Sequence, residues 1–311
     1  MDSFSHHQIQ RRAALRALLG RLPHPHSPRA RLLATTEHPG YTLQLLELDL
    51  NGQEPVPAYL LLPHRRPARA PALLYLHAHG GTYALGKDEL IHGRRGLDAY
   101  APVLAERGII TLACDSWCFG ARCHTPHGRQ GEHDTFKLML WRGQVLWGQM
   151  LHDELQALSF LAAHPDVDAT RIGAFGMSMG ATKAWWLAAL DERIRLCIDL
   201  CCLTDFDELI AARNLRGHSF YYFVPGLLPE FSAAQINELI VPRPRLSLNG
   251  RHDALTPVAG VERIRAHLQP LYARHGNADD CRIELFDSGH EETPAMRRLV
   301  LDWLQRYLVQ P

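Results

Sequence analysis

The run Gly176-Met177-Ser178-Met179-Gly180 constrains the fold of this chain more than any other feature. Ahead of it stands the short apolar stretch 171–175, which reads as a strand, and behind it 181–190, rich in helix formers. A strand that passes directly into a helix turns too sharply for side chains on both flanks of its central residue, and glycines remove them. The central serine then stands exposed at a helix N-terminus, where free N–H groups and the helix dipole favour developing negative charge. The pentapeptide reads either as a nucleophile elbow or as a structural turn, and the rest of the chain must decide.

Strand-like and helix-like segments alternate around it. Segments 41–50 and 56–62 alternate apolar and polar residues with Asn51-Gly52 near the turn, as a hairpin does. The continuous apolar run at 72–76 predicts a buried strand, and further strands are read at 109–114, 171–175, 194–200, 245–248 and 281–286, with helices expected at 97–107, 145–163, 179–190, 258–275 and 292–308. The prediction is an α/β fold: an eight-stranded, mostly parallel, doubly wound sheet that starts antiparallel. Residues 1–40 read as an N-terminal helix (8–20) and a proline-rich connector packed on the core, and 41–311 as one domain. A long loop is expected up to about His133. The insertion at about 205–242 is rich in aromatics (Phe206, Phe220, Tyr221, Tyr222, Phe223, Phe231) and follows a strand end. It reads as a lid, or else as a surface excursion with its own small core.

Composition narrows the partners. Lys plus Arg and Asp plus Glu are 33 each in 311 residues, which leaves no electrostatic case for nucleic acid or anionic lipid. No apolar run approaches the ~20 residues of a membrane span, and the N-terminus lacks a signal-peptide pattern, so a cytoplasmic location is expected. The seven cysteines, mostly in apolar surroundings, suit reduced thiols. Neither the cluster Cys118, Cys123, His124, His127 nor the pair His77 and His79 has standard metal-site spacing, so no metal and no cofactor is expected. The expected partner is a small molecule, and homo-oligomerisation stays open.

A serine needs a base to become a nucleophile, and the base needs a carboxylate to hold its tautomer. Downstream of Ser178, Asp253 follows the strand at 245–248 and His290 the strand at 281–286, both on the edge that would carry Ser178. A parallel sheet gathers such loops into one crevice. Asp253 and His290 are therefore the expected acid and base, with an Asx turn or helix cap as the alternative role of Asp253. Asp205 is the second choice of acid, and Asp115 is expected to orient a loop. Backbone N–H groups of Met179 and Gly81, or Thr82 instead of Gly81, are the expected oxyanion donors. Tyr83, Trp117, His218, Tyr221 and Tyr222 are candidate substrate contacts, as are Arg122, His124, His127 and His133 for a polar or acidic substrate.

Together, His79-Gly80-Gly81, the elbow around Ser178, the segments 222–228 and 242–253, and Gly289-His290 resemble the α/β-hydrolase superfamily, in its dienelactone hydrolase and acetyl xylan esterase-like branch. The resemblance runs from about Tyr41 to the C-terminus. It implies a cofactor-independent serine hydrolase with Ser178, His290 and Asp253 as nucleophile, base and acid. Dienelactone hydrolases proper use a cysteine where this chain has Ser178, which argues against that activity. Hydrolysis of a carboxylic ester is the leading expectation. Acyl transfer, carbon–carbon bond hydrolysis, peptidase activity and a non-catalytic scaffold are the alternatives.

Overall fold

The computed structural model describes residues 3–123 and 127–310. Nine strands form one sheet: β1 Arg29–His38, β2 Tyr41–Asp49, β3 Val56–Pro63, β4 Ala70–Leu76, β5 Ile110–Cys114, β6 Val167–Met177, β7 Ile194–Leu200, β8 Arg245–Gly250 and β9 Cys281–Phe286. Their order is β1-β2-β3-β5-β4-β6-β7-β8-β9. The first three strands pair antiparallel, β3 meets β5 antiparallel, and every pair from β5 to β9 is parallel.

The expected count of eight strands is corrected to nine. The added strand, β1, comprises residues left in the N-terminal connector, and nine of its ten residues are exposed. An edge strand with both faces in water carries no alternation of polar and apolar residues to betray it. A second correction concerns the stretch expected as a loop up to His133: residues Arg129–Trp141 form a helix.

Alternation along the buried strands divides the core. Ala72, Leu74 and Leu76 of β4 join one apolar cluster with helices Leu146–Ala163, Met179–Leu190 and Val258–Arg274; Leu73 and Tyr75 join the other with helix Pro294–Leu304. The N-terminal helix Ser3–Ala17 and the turn after it bury Leu15 and Leu19 in the first cluster. Arg12 and Gln8 tie that helix to the carbonyls of Ala189 and Val241 at 3.0 and 2.9 Å. Segment 205–242 folds into three short α-helices, Phe206–Ala211, Leu227–Glu230 and Ala233–Glu238, and two 3-10 turns, Leu215–Gly217 and Phe220–Tyr222, and its Tyr221, Tyr222 and Phe231 belong to the main core. Among the described residues no helix is long and apolar enough to cross a membrane.

Candidate active site

Four parallel strands deliver the site. β6 ends at Met177, Ser178 follows, and helix Met179–Leu190 begins at the next residue. Ser178 sits at φ +59° and ψ −118°, a region an L-residue visits at a cost of about 1–3 kcal/mol. The surroundings enforce it: a Cβ on Gly176 or Gly180 would stand 2.4 or 1.8 Å from the carbonyl oxygen of Leu76, at the end of β4. Helix and strand approach that closely because both glycines lack side chains.

The loops after β8 and β9 bring Asp253 and His290 to the serine. His290 Nδ1 lies 2.7 Å from Asp253 Oδ2, and Nε2 lies 2.9 Å from Ser178 Oγ. An ionised carboxylate only accepts, so the ring proton sits on Nδ1 and Nε2 is free to accept from the serine hydroxyl. Asp253, with a side chain only 1% exposed, also accepts from the Leu255 N–H at 2.9 Å. The Asx turn weighed as its alternative role is thus present in the same side chain. The second-choice acid, Asp205, caps helix Phe206–Ala211 through the Glu208 N–H and pairs with Arg263 at 3.0 Å. Asp115 pins its loop through the N–H groups of Lys87 and Ala121 and the Lys87 ammonium.

Ser178 and His290 open onto a cavity of about 450 Å³ lined also by His79, Gly80, Gly81, Tyr83, His218, Ser219 and Tyr221. Three of the expected substrate contacts, Tyr83, His218 and Tyr221, therefore share this wall. Two do not line it, which corrects that expectation. Trp117 stacks under the Arg122 guanidinium at 4.4 Å, and Tyr222 lines a separate apolar groove with Phe206, Leu209 and Phe223. Arg122 itself is buried between Glu54 and Asp153. His133 stacks on Phe220 at 4.4 Å, and His124 lies outside the described residues.

A second histidine–carboxylate pair borders the same cavity, its histidine on the wall and its carboxylate bonded to it. Glu132, on helix Arg129–Trp141, has a fully buried side chain and accepts from His79 Nε2 at 3.1 Å, from the Tyr83 hydroxyl at 2.6 Å and from Ser219 Oγ. Burial alone would push its carboxyl up; the donors His79, Ser219 and Tyr83 outweigh that and leave it below its ordinary value. The same burial, with Glu132 beside it, pushes the Tyr83 hydroxyl up. The Gly81 N–H, expected to face an oxyanion, donates here to His79 Nδ1 at 3.1 Å, and the Thr82 N–H to the His79 carbonyl at 3.2 Å. Behind this loop the buried Glu89 accepts from the Ala78 N–H and the Tyr75 hydroxyl. Reasoning from sequence missed Glu132. Its signal was an acid in the first turn of a helix, and the helix itself went unread.

All seven cysteines are free. Cys201 Sγ, Asp253 and His290 place potential metal-ligand atoms within 4.8 Å of one another. The Asp253 and His290 atoms are already engaged with each other and with Ser178.

No family model matches the chain. A Bacillus subtilis (strain 168) protein named "Putative hydrolase YtaP" is 44% identical over 303 residues, 97% of this chain and 100% of that one. Among solved structures, "a putative acetyl xylan esterase" from Bacteroides fragilis NCTC 9343 matches at TM-score 0.76 and 17% identity, covering 97% of this chain and 88% of that one. A glucuronoyl esterase from Solibacter usitatus matches at TM-score 0.68 and 15% identity, covering 96% and 91%. At such identities the two structures speak for a shared fold. The relative identical at 44% along its whole length speaks for descent, and the chain belongs to the hydrolase family of that Bacillus subtilis protein, on the α/β-hydrolase fold.

Proposed function

We propose that this hydrolase cleaves carboxylic esters through an acyl-enzyme on Ser178. The observation that carries the reading is the hydrogen-bonded series Asp253, His290, Ser178, at 2.7 and 2.9 Å, ending on a serine in an open cavity. Ser178 Oγ attacks the acyl carbon as His290 Nε2 takes its proton, and Asp253 holds the ring and balances the imidazolium. The ester C–O bond then breaks, and His290 returns the proton to the leaving alcohol. Water, deprotonated by the same nitrogen, releases the acyl group.

The oxyanion falls to backbone N–H groups. Met179 is the first residue of its helix, so its N–H has no acceptor within the helix. Gly81 is the second donor, its N–H exchanging His79 Nδ1 for the oxyanion. Glu132 positions this loop through His79 and ties it to Ser219 of segment 205–242, which acts as the cover of the cavity. Membership of a hydrolase family and a fold shared with proteins titled esterases support the reading. With Ser178 half-exposed and the His290 side chain 30% exposed, water reaches the site, which favours hydrolysis over transfer to a second substrate.

The test is turnover of 4-nitrophenyl acetate by the wild-type chain and by Ser178→Ala with an unchanged melting temperature. Loss of turnover in the variant is expected; equal turnover contradicts the assignment.

A further inference from the structure

The charge of the cavity differs from that of the chain. The protein as a whole is neutral, with 33 basic and 33 acidic residues. Yet the residues around Ser178 include two arginines, Arg129 and Arg216, and three histidines, His79, His218 and His290, and among the described residues no aspartate or glutamate lines the cavity. The two carboxylates bonded to wall residues are already engaged. The Glu132 side chain is 0% exposed and occupied by His79, Tyr83 and Ser219, and that of Asp253 is 1% exposed and occupied by His290 and the Leu255 N–H.

Both arginines are exposed, and among the described residues neither makes a hydrogen bond, an ion pair or a ring contact. The side chains of other exposed arginines, such as Arg95 and Arg251, are unpartnered among the described residues too. Arg129 and Arg216 differ in lining the cavity that holds Ser178, whereas the packed arginines are spoken for. Arg94, Arg122, Arg245 and Arg297 each engage a carboxylate within 3.4 Å. Arg129 and Arg216 come from two different elements, the helix Arg129–Trp141 and the turn Leu215–Gly217, and meet on one cavity. Of the histidines, His79 is tied to Glu132 and its own loop, and His218 to the Leu255 carbonyl at 3.0 Å. Burial holds the His218 ring below its ordinary titration range, so it enters as a neutral, polar wall. The positive charge offered to a ligand is that of the two guanidinium groups, which match carboxylate, sulfate or phosphate oxygens in a bidentate fashion.

We propose that the substrate is an ester carrying a negatively charged group, held by Arg129 and Arg216 while the ester carbon lies at Ser178. The proposal rests on the hydrolase reading above for its chemistry, but the anion site exists independently of turnover. The shared chemistry is the anion, and it can sit on either side of the ester bond.

Two matched substrate pairs separate the sides. Mono(4-nitrophenyl) succinate against 4-nitrophenyl butyrate places the charge on the acyl group. 4-Acetoxybenzoate against its methyl ester places it on the alcohol. In at least one pair the wild type is expected to favour the charged member in kcat/KM by roughly tenfold, a preference that shrinks at ~0.5 M salt. In the double variant Arg129→Gln, Arg216→Gln the ratio falls to about one, and in Arg129→Lys, Arg216→Lys part of it returns. An equal ratio in both pairs, or a preference untouched by the glutamine variant, overturns the proposal.

A measurement without turnover keeps the two readings apart. Glutarate is expected to raise the melting temperature of the wild type more than neutral glutaramide does, and the difference disappears in the glutamine variant. If no ester is turned over, the hydrolase reading fails and this shift alone decides for or against the anion site.

Discussion

Two histidine–carboxylate pairs border the same cavity, and their likeness ends at the second ring nitrogen. Asp253 and Glu132 are both buried, and each accepts from a histidine, at 2.7 and 3.1 Å. His290 carries its proton on Nδ1 and presents Nε2 to the Ser178 hydroxyl; His79 carries its proton on Nε2 and spends Nδ1 on the Gly81 N–H. One ring therefore has a free lone pair aimed at a reactive proton, and the other is a brace. A carboxylate behind an imidazole makes a base only when the far nitrogen meets a group that can give up a proton. The exposed pair His252 and Asp287, 2.6 Å apart, shows how little the contact alone means.

The comparison breaks first at the serine. Ser178→Ala is expected to lower kcat for a 4-nitrophenyl ester by on the order of 10⁴-fold or more, measured in steady state against wild type. Asp253→Asn should follow at roughly 10⁴-fold, because the amide can hold the wrong tautomer. Its control is Asp205→Asn, which leaves the hydrogen-bonded series intact and weakens a helix cap, lowering stability by about 1 kcal/mol or less in chemical denaturation. If the Asp205 variant loses turnover as Asp253→Asn does, the acid has been misassigned.

At the second pair the effect should be smaller. Glu132→Gln loosens His79, Tyr83 and Ser219 together, and kcat/KM is expected to fall between about 10- and 100-fold as the oxyanion loop loses its position. A loss as deep as that of Asp253→Asn would make the two pairs equivalent and sink the distinction between base and brace.

The smallest effect concerns His77, two residues before His79. It is fully buried, its Nδ1 donates to the Ala78 carbonyl at 2.9 Å, and its Nε2 accepts the Ser116 N–H at 3.1 Å. Burial, and then the Lys183 ammonium, hold it well below the ordinary imidazole value of 6.5. The folded ring stays neutral where the unfolded one gains a proton. Its stabilisation is therefore full above pH 6.5 and is lost as the pH falls below it. Denaturant unfolding between roughly pH 7 and 5 should be less pH-dependent in His77→Gln than in wild type, by at most about 1.4 kcal/mol per pH unit. Parallel slopes in the two proteins would mean that the ring takes up its proton alike in the folded and unfolded chain, against this reading.

Ser178, Asp253 and His290 were legible because Ser178 follows β6 directly and Asp253 and His290 stand in the loops just after β8 and β9, so residue order placed them on one edge of a parallel sheet. The strands themselves were legible where they are buried on both faces, as β4, β5 and β8 are. β1 was not, since a strand in water on both faces has no pattern to read. Helix Arg129–Trp141 was also hidden. It begins after Gly128 without a side-chain cap, carries Gly131 in its first turn, and leaves Leu138, Leu140 and Trp141 exposed where a buried stripe would be expected. Glu132 and Arg129, both on that helix, stayed out of reach with it. Trp117 and Tyr222 misled for the opposite reason: aromatic side chains near a site also fill the core behind it, against Arg122 and Phe206.

The account stands on the reactivity of a single hydroxyl, and intact-mass spectrometry after treatment with a fluorophosphonate measures it directly. One adduct per chain, mapped to the peptide containing Ser178 and absent from a folded Ser178→Ala variant, is the predicted result. No adduct on folded wild-type protein, or an adduct that persists in the variant, would contradict it.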